Sequence, residues 1–157
     1  MGCDIHMHAE KRDADGKWSY ADSKAVGEIN EVRSYALFGW LANVRNYSAV
    51  MPLAMPRGLP VDVSFKSAAA YESWGMDVHN ASWFTVDELL AVDYDKVVED
   101  RRATVELAPN FWSGAGTAEA GQGRTETLRE FVGDWFIEQI QQAKAEGVER
   151  PVFWFAD

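Results

Sequence analysis

The ten residues Met1-Gly-Cys-Asp-Ile-His-Met-His-Ala-Glu10 place polar and apolar side chains in alternation. Neighbouring side chains on a β-strand point to opposite faces, so this period of two predicts a strand. The small and apolar residues, Cys3 among them, are expected to enter the core. The other face carries groups that bind metals or transfer protons in proteins, namely Asp4, His6, His8 and Glu10.

Length, charge and cysteine content limit the class of protein. The 157 residues fit one domain spanning residues 1–157, long enough to bury roughly 70% of the unfolded surface. A single Cys excludes an internal disulfide and fits a reducing cytosol. The net charge of −10 opposes binding to duplex nucleic acid or to an anionic membrane. We therefore expect a cytoplasmic protein with neither of these partners.

Two strand signals define the predicted sheet. An Asp-Gly turn at residues 15–16 separates the opening strand from a second alternating segment, which predicts a β-hairpin of residues 3–10 and 17–21. The run Val152-Phe-Trp-Phe155 predicts a buried strand that begins after Pro151. The predicted fold class is α+β, a single domain whose small, mainly antiparallel sheet, built from the hairpin and the C-terminal strand, is covered by helices.

Helices are predicted where a capping Ser or Thr precedes apolar residues at helical spacing. Those opened by Thr85 and Thr127 carry a capping box. The predicted helices cover residues 35–44 after Ser34, the segment from Ser64 to Trp74, the segment from Thr85 to about Ala91, and residues 127–146.

Three segments lack a clear period. Residues 45–63 contain several prolines and predict an irregular loop, a kind of segment that is often functional in a compact domain. Residues 92–104 are ambiguous between helix and coil, and their carboxylates are expected to form a solvated face. Residues 105–123 are rich in glycine and predict a mobile loop.

The pattern Asp-x-His occurs twice, as Asp4-Ile-His6 and Asp77-Val-His79. In an extended segment, residues two apart lie about 6.5 to 7 Å apart on one face, so each pair can converge on one metal ion. We expect Asp4, His6, Asp77 and His79 to be ligands of a divalent metal or catalytic acid and base groups. Zn, Mn, Fe and Mg all accept such ligands. The alternative is structural, with each Asp accepting a hydrogen bond from a half-buried His.

Cations and an aromatic residue suggest a small anionic ligand. Arg57 and Arg45 flank or lie within the proline-containing loop of an acidic chain, where they could hold a phosphate or carboxylate. Asn80 and Trp83 follow His79 and offer hydrogen bonds and a stacking face. Salt bridges to the surplus carboxylates are the alternative role for the arginines, and for Arg33.

Several motifs together resemble a known group of proteins. They are Met-Gly-Cys-Asp-Ile-His at residues 1–6, Val-Arg-Asn at 44–46, Arg-Gly-Leu-Pro at 57–60 and Ser-Trp-Phe-Thr at 82–85. The chain resembles, over nearly its whole length, a group of small uncharacterised bacteriophage and prophage proteins. The resemblance implies a phage or bacterial cytoplasmic setting.

The function predicted from these residues is a metal-dependent hydrolase acting on a small phosphorylated or nucleotide-like substrate. One alternative is a non-catalytic phage protein that binds or sequesters a small nucleotide-like ligand. Another is an interaction protein whose polar cluster is purely structural. The predicted metal site requires residues 4–6 and 77–79 to meet in space.

Overall fold

The computed structural model describes residues 2–108 and 111–157, and side chains for all of these except residues 103–115. Its strands are β1 (Asp4–Arg12), β2 (Trp18–Ala21), β3 (Val78–Trp83), β4 (Val97–Asp100), β5 (Arg102–Ala108), β6 (Phe111–Thr117), β7 (Arg124–Thr127) and β8 (Arg150–Ala156). Its helices are α1 (Lys24–Asn30), α2 (Tyr35–Ala42), α3 (Phe65–Ser73), α4 (Val86–Leu90), α5 (Leu128–Val132) and α6 (Asp134–Ala145). The predicted α+β class is confirmed.

The chain divides into two compact units. The first comprises Met1–Arg33, Pro56–Val92 and Asp134–Asp157, and the second comprises Ser34–Met55 and Asp93–Gly133. The assignment of residues 1–157 to one domain stays a prediction.

An antiparallel four-stranded sheet in the order β2-β1-β8-β3 forms the centre of the first unit. The predicted hairpin and C-terminal strand are confirmed, whereas β3 was not predicted as a strand. Every residue of β8 is buried, which agrees with its place between two other strands. Ile5, Phe155 and His79 align across the sheet, so their side chains share one face.

Helices cover this sheet within the first unit. The helix α1, which the sequence interpretation did not identify, contacts both β1 and α6, while α3 contacts β2. Tyr71 of α3 packs edge-on against Trp154 of β8, with ring centroids 5.5 Å apart. The opposite sheet face carries Ile5, Met7, Phe153 and Phe155, all at most 2% exposed. One face is therefore aliphatic and Phe-rich, and the other packs against α3.

The second unit corrects two predictions. Residues 97–100 form β4, which pairs with β7, and β5 pairs with β6 across much of the predicted mobile loop. Asp100 is only 8% exposed and forms a salt bridge with Arg102, so it is not part of a solvated face. The partners β4 and β7 lie far apart in sequence, and no local periodicity indicates such a pairing. Residues 109–110 of the predicted loop lie outside the described residues.

The single helix predicted over 127–146 is also wrong, because the structure divides it at Gly133. This residue has φ 93° and ψ 135°, outside the helical region and accessible mainly to glycine. Leu128 and Phe131 are buried in the second unit, whereas Phe136 and Ile140 are buried in the first. Both α5 and α6 bury an apolar face, so the apolar periodicity continues through Gly133. Periodicity alone therefore did not indicate the break.

Candidate functional site

The two Asp-x-His units lie on opposite faces of the sheet. His79 aligns with Ile5 through Phe155 and therefore points to the face that carries Ile5. His6 follows Ile5 and points to the other face, together with its partner Trp154. The insertion of β8 between β1 and β3 thus prevents the predicted shared metal site of Asp4, His6, Asp77 and His79.

The two aspartates of these units also occupy separate settings. Asp77 is exposed in a 3₁₀ turn that precedes β3. Asp4 accepts hydrogen bonds from Nε and Nη2 of Arg33, each 2.9 Å long. These hydrogen bonds hold the pKa of the Asp4 carboxyl below its ordinary value. Arg33 therefore adopts the salt-bridge role that was its alternative.

A different set of three groups converges at the ends of β1, β8 and β3. His79 Nε2 lies 4.0 Å from Cys3 Sγ and 3.1 Å from Asp157 Oδ1. The three ligand atoms lie within 4.8 Å of one another. Among the described residues, this is the group of three or more His, Cys, Asp and Glu side chains that could hold a metal ion.

Strand register explains this convergence. Asp4 pairs with Ala156, so continuing the antiparallel register by one residue brings Cys3 opposite Asp157. His79 pairs with Phe155 on the other side of β8. His79 of β3 and the residues that flank β1 and β8, Cys3 and Asp157, therefore lie on the same face. Cys3 and Asp157 were not predicted as site residues, because only the pairing of the first and last strands brings them together.

A β-bulge positions the imidazole of His79. The register between β3 and β8 shifts between His79 and Ser82, which leaves one extra residue on β3. Asn80 occupies this bulge with φ 52°, a left-handed conformation that Asn tolerates better than most residues. Its Oδ1 lies 3.2 Å from His79 Nδ1. Nδ1 thus has a hydrogen-bond partner while Nε2 faces Cys3 and Asp157.

The donor set of this cluster fits zinc. Thiolate sulfur, imidazole nitrogen and carboxylate oxygen are the usual protein ligands of Zn²⁺. Tetrahedral zinc separates sulfur from nitrogen by about 3.5 Å and nitrogen from oxygen by about 3.3 Å, given its bond lengths. The separations here are 4.0 and 3.1 Å, so small side-chain movements suffice. A ligating His usually donates its second ring N–H to an oxygen acceptor, and Asn80 Oδ1 lies in that position here.

Exposure is graded across the cluster. Cys3 is fully buried, whereas the side chains of His79 and Asp157 are 36% and 46% exposed. An ion can therefore approach from the side of His79 and Asp157. A zinc ion held by these three described residues alone would keep a coordination position for water or substrate, as catalytic zinc sites do.

The residues that the sequence predicted to bind an anion contact other side chains of the protein. Arg57 donates two hydrogen bonds to the carboxylate of Glu88, 3.0 and 2.8 Å long, and lies 4.8 Å from the ring centroid of Trp83. Arg45 belongs to the second unit, where its guanidinium lies 5.7 Å from the centroid of Tyr35. Arg57 thus follows the salt-bridge alternative, and Asn80 contacts His79 instead.

His8 and Glu10, the other two polar groups of the opening strand, are both integrated into the fold. His8 is half-buried, with its Nδ1 3.0 Å from Ser67 Oγ. Glu10 is 0% exposed, and its Oε1 accepts two hydrogen bonds from Arg150. These contacts tie β1 to β8 and to α3.

Burial of His6 and His8 predicts a loss of stability in mild acid. Burial lowers the pKa of each imidazole below the ordinary value of 6.5, with Lys66 adding to the effect at His8. The folded state then binds fewer protons than the unfolded state. The stability that the two neutral imidazoles contribute is fully present above the pKa of the unfolded state. It is lost as the pH falls from that pKa toward the lower pKa of the folded state.

Urea denaturation at pH values from about 8 to 5 measures this effect, because carboxylate titration lies mostly at lower pH. The free energy of unfolding should decrease over this range, and the double variant His6→Gln, His8→Gln should show a shallower decrease. A wild-type protein as stable at pH 5 as at pH 8 contradicts the prediction.

Comparison with known proteins gives no assignment. No family model matches the chain, and neither the curated proteins nor the solved structures contain a match. None of the helices within residues 2–108 and 111–157 is both long and apolar enough to cross a membrane.

Proposed function

We propose that this protein is a metal-dependent hydrolase whose metal ligands are Cys3, His79 and Asp157. The observation that carries the proposal is the convergence of these three groups within 4.8 Å. His79 is retained from the ligand set predicted from the sequence, and Cys3 and Asp157 replace Asp4, His6 and Asp77. Because thiolate is a soft ligand that hard cations such as Mg²⁺ avoid, zinc is the proposed metal.

The chemistry follows from the roles of the chain's own groups. Held by Cys3, His79 and Asp157, a zinc ion would supply Lewis acidity toward a substrate oxygen. Cys3 would hold the ion from the buried side and Asp157 from the exposed side. Asn80 orients the imidazole of His79 through Nδ1, so that Nε2 faces the metal position.

The proposed substrate is small and anionic, phosphorylated or nucleotide-like. The chain carries a net charge of −10, so a bound cation would supply local positive charge for such a substrate. The setting we propose is the cytoplasm of a bacterial or phage-infected cell. A reducing compartment would keep the thiol of Cys3 available as a ligand.

Metal content of untagged protein tests the ligand set directly. Elemental analysis should give about one zinc per chain, and cobalt substitution should produce a thiolate-to-cobalt absorption band. Cys3→Ser should abolish the band, and Asp157→Asn should weaken metal binding by roughly 10-fold or more. His6→Gln is the matched control, because it removes a histidine from the opposite sheet face and should leave binding unchanged.

The outcomes separate the proposal from its alternatives. Failure of the protein to bind zinc at micromolar concentration contradicts the proposed metal centre. Loss of zinc binding in His6→Gln shows that the ligand set is a different one. Asp157 is partly exposed, so its substitution should preserve the fold and allow a clear result even if Cys3→Ser is unstable. Zinc-dependent release of phosphate from a panel of small phosphoesters tests the hydrolase activity. A zinc-loaded protein inactive on the whole panel contradicts the substrate class.

A further inference from the structure

We propose that a groove along the open edge of β1 binds a small primary amine in its ammonium form. The groove has a volume of about 340 Å³, and its polar lining consists of Asp4, His6, His8, Asn30 and Glu31. We call it the β1 groove. It bears the side chains of Asp4, His6 and His8, whereas His79 points to the opposite face of the sheet, so this inference does not rest on the proposed metal centre.

The edge of β1 is open because β2 is shorter than its partner. The pairing of β2 with β1 covers Ala9 to Arg12 and stops before His8. Asn30 closes part of the remaining edge, donating from Nδ2 to the carbonyl of Met7 and accepting from its backbone N–H, at 2.9 and 2.7 Å. This side-chain amide replaces a strand partner at Met7, which favours a small ligand over an added peptide strand.

Two imidazoles line the groove with unused hydrogen-bonding capacity. His6 packs against Trp74, with ring centroids 4.3 Å apart. Within residues 2–108 and 111–157, neither ring nitrogen of His6 has a hydrogen-bond partner. His8 uses Nδ1 to contact Ser67 Oγ. Partial burial lowers the pKa of both rings and favours their neutral form, in which each ring has one nitrogen lone pair; at His8 this lone pair is open to a ligand when Nδ1 donates to Ser67 Oγ.

Acceptors dominate the lining. Glu31 is exposed and has no ion-pair partner among the described side chains. Asp4 adds a second carboxylate, which is shared with Arg33. The amide of Asn30 is already used by Met7. An ammonium ion has three donors and no acceptor, so it complements this set.

The size of the β1 groove limits the length of the amine. Small-molecule sites usually occupy about 300 to 1,000 Å³, and this groove lies near the lower end at about 340 Å³. A short aliphatic polyamine such as spermidine therefore serves as the probe.

Calorimetric titration with spermidine at physiological salt tests the proposal. Glu31→Gln should weaken binding by about 10-fold or more, since a charge-assisted hydrogen bond is lost. Glu28→Gln is the matched control, because Glu28 is exposed on α1 just before Glu31 and lies outside the groove, and its substitution changes the net charge equally. Its affinity should remain within about twofold of the wild type, as expected for screened surface charges.

A second readout locates the ligand. The ring-proton NMR signals of His6 and His8 should shift on titration with spermidine, and those of His79 should not. Equal weakening by Glu31→Gln and Glu28→Gln, or tighter binding of the anion glutarate than of spermidine, overturns the proposal. The zinc content should be the same in both variants, so failure here leaves the metal centre unaffected.

Discussion

Replacing Glu10 with Gln should lower the free energy of unfolding by about 3 kcal/mol, because it breaks an ion pair between fully buried groups. Glu10 Oε1 accepts from Nε and Nη2 of Arg150 at 2.9 and 2.7 Å. Its Oε2 accepts from the backbone N–H of Ser64 at 2.7 Å. The side chains of Glu10 and Arg150 are 0% and 4% exposed, so water cannot replace the lost partner.

Asp62 supplies a matched control for this prediction. It contacts the same guanidinium at 2.8 Å, but its side chain is 57% exposed. Asp62→Asn should therefore cost about 1 kcal/mol or less. Urea denaturation followed by circular dichroism measures both variants, and Glu10→Gln should also lower Tm by about 6 to 12 °C.

A double variant tests the physical cause. Glu10→Leu combined with Arg150→Met removes both charges and should recover part of the loss seen in Glu10→Gln. Equal costs for Glu10→Gln and Asp62→Asn would show that burial does not govern this network.

Trp154→Ala should cost about 3 to 5 kcal/mol, the range for truncating a large aromatic side chain in a core. Trp154 is 0% exposed at the centre of β8. Its ring lies 5.1 Å from His8 and 5.5 Å from Tyr71, measured between centroids. Truncation would therefore leave a cavity between the sheet and α3.

Trp154→Phe is the control that separates the loss of aromatic volume from the loss of the indole N–H. The indole Nε1 of Trp154 is buried and has no hydrogen-bond partner among the described residues, so its removal sacrifices no such bond. The Phe variant should cost roughly 1.5 kcal/mol or less in the same denaturation assay. A Trp154→Ala protein within 1 kcal/mol of wild type would show that this side chain does not support the packing of α3.

Local rules predicted much of the secondary structure. Ser34, Ser64, Thr85 and Thr127 all cap helices through their side chains, and both predicted capping boxes form. The alternation in residues 3–10 correctly separated the apolar face of β1 from its polar face. These features depend on contacts within a few residues, which is why the sequence reveals them.

The site depended on information that local rules do not contain. Asp4-Ile-His6 and Asp77-Val-His79 look equivalent in sequence, yet their histidines point to opposite faces. The difference arises from β8, whose register with both neighbours fixes the face of every residue. Glu10 shows the same limit of local rules. Nothing in the neighbouring sequence distinguishes a buried carboxylate from an exposed one, and only the folded chain places Arg150 beside Glu10.

The opening ten residues by themselves determined that one strand face would be apolar and that Cys3 would belong to it, because side-chain alternation is a property of the extended backbone. Only the tertiary structure decided which partners that face would meet. The placement of β8 between β1 and β3 brought Asp157 and His79 to Cys3 and left His6 beside Trp74. Strand order and register are set by the burial of the whole sheet, and no short segment encodes them.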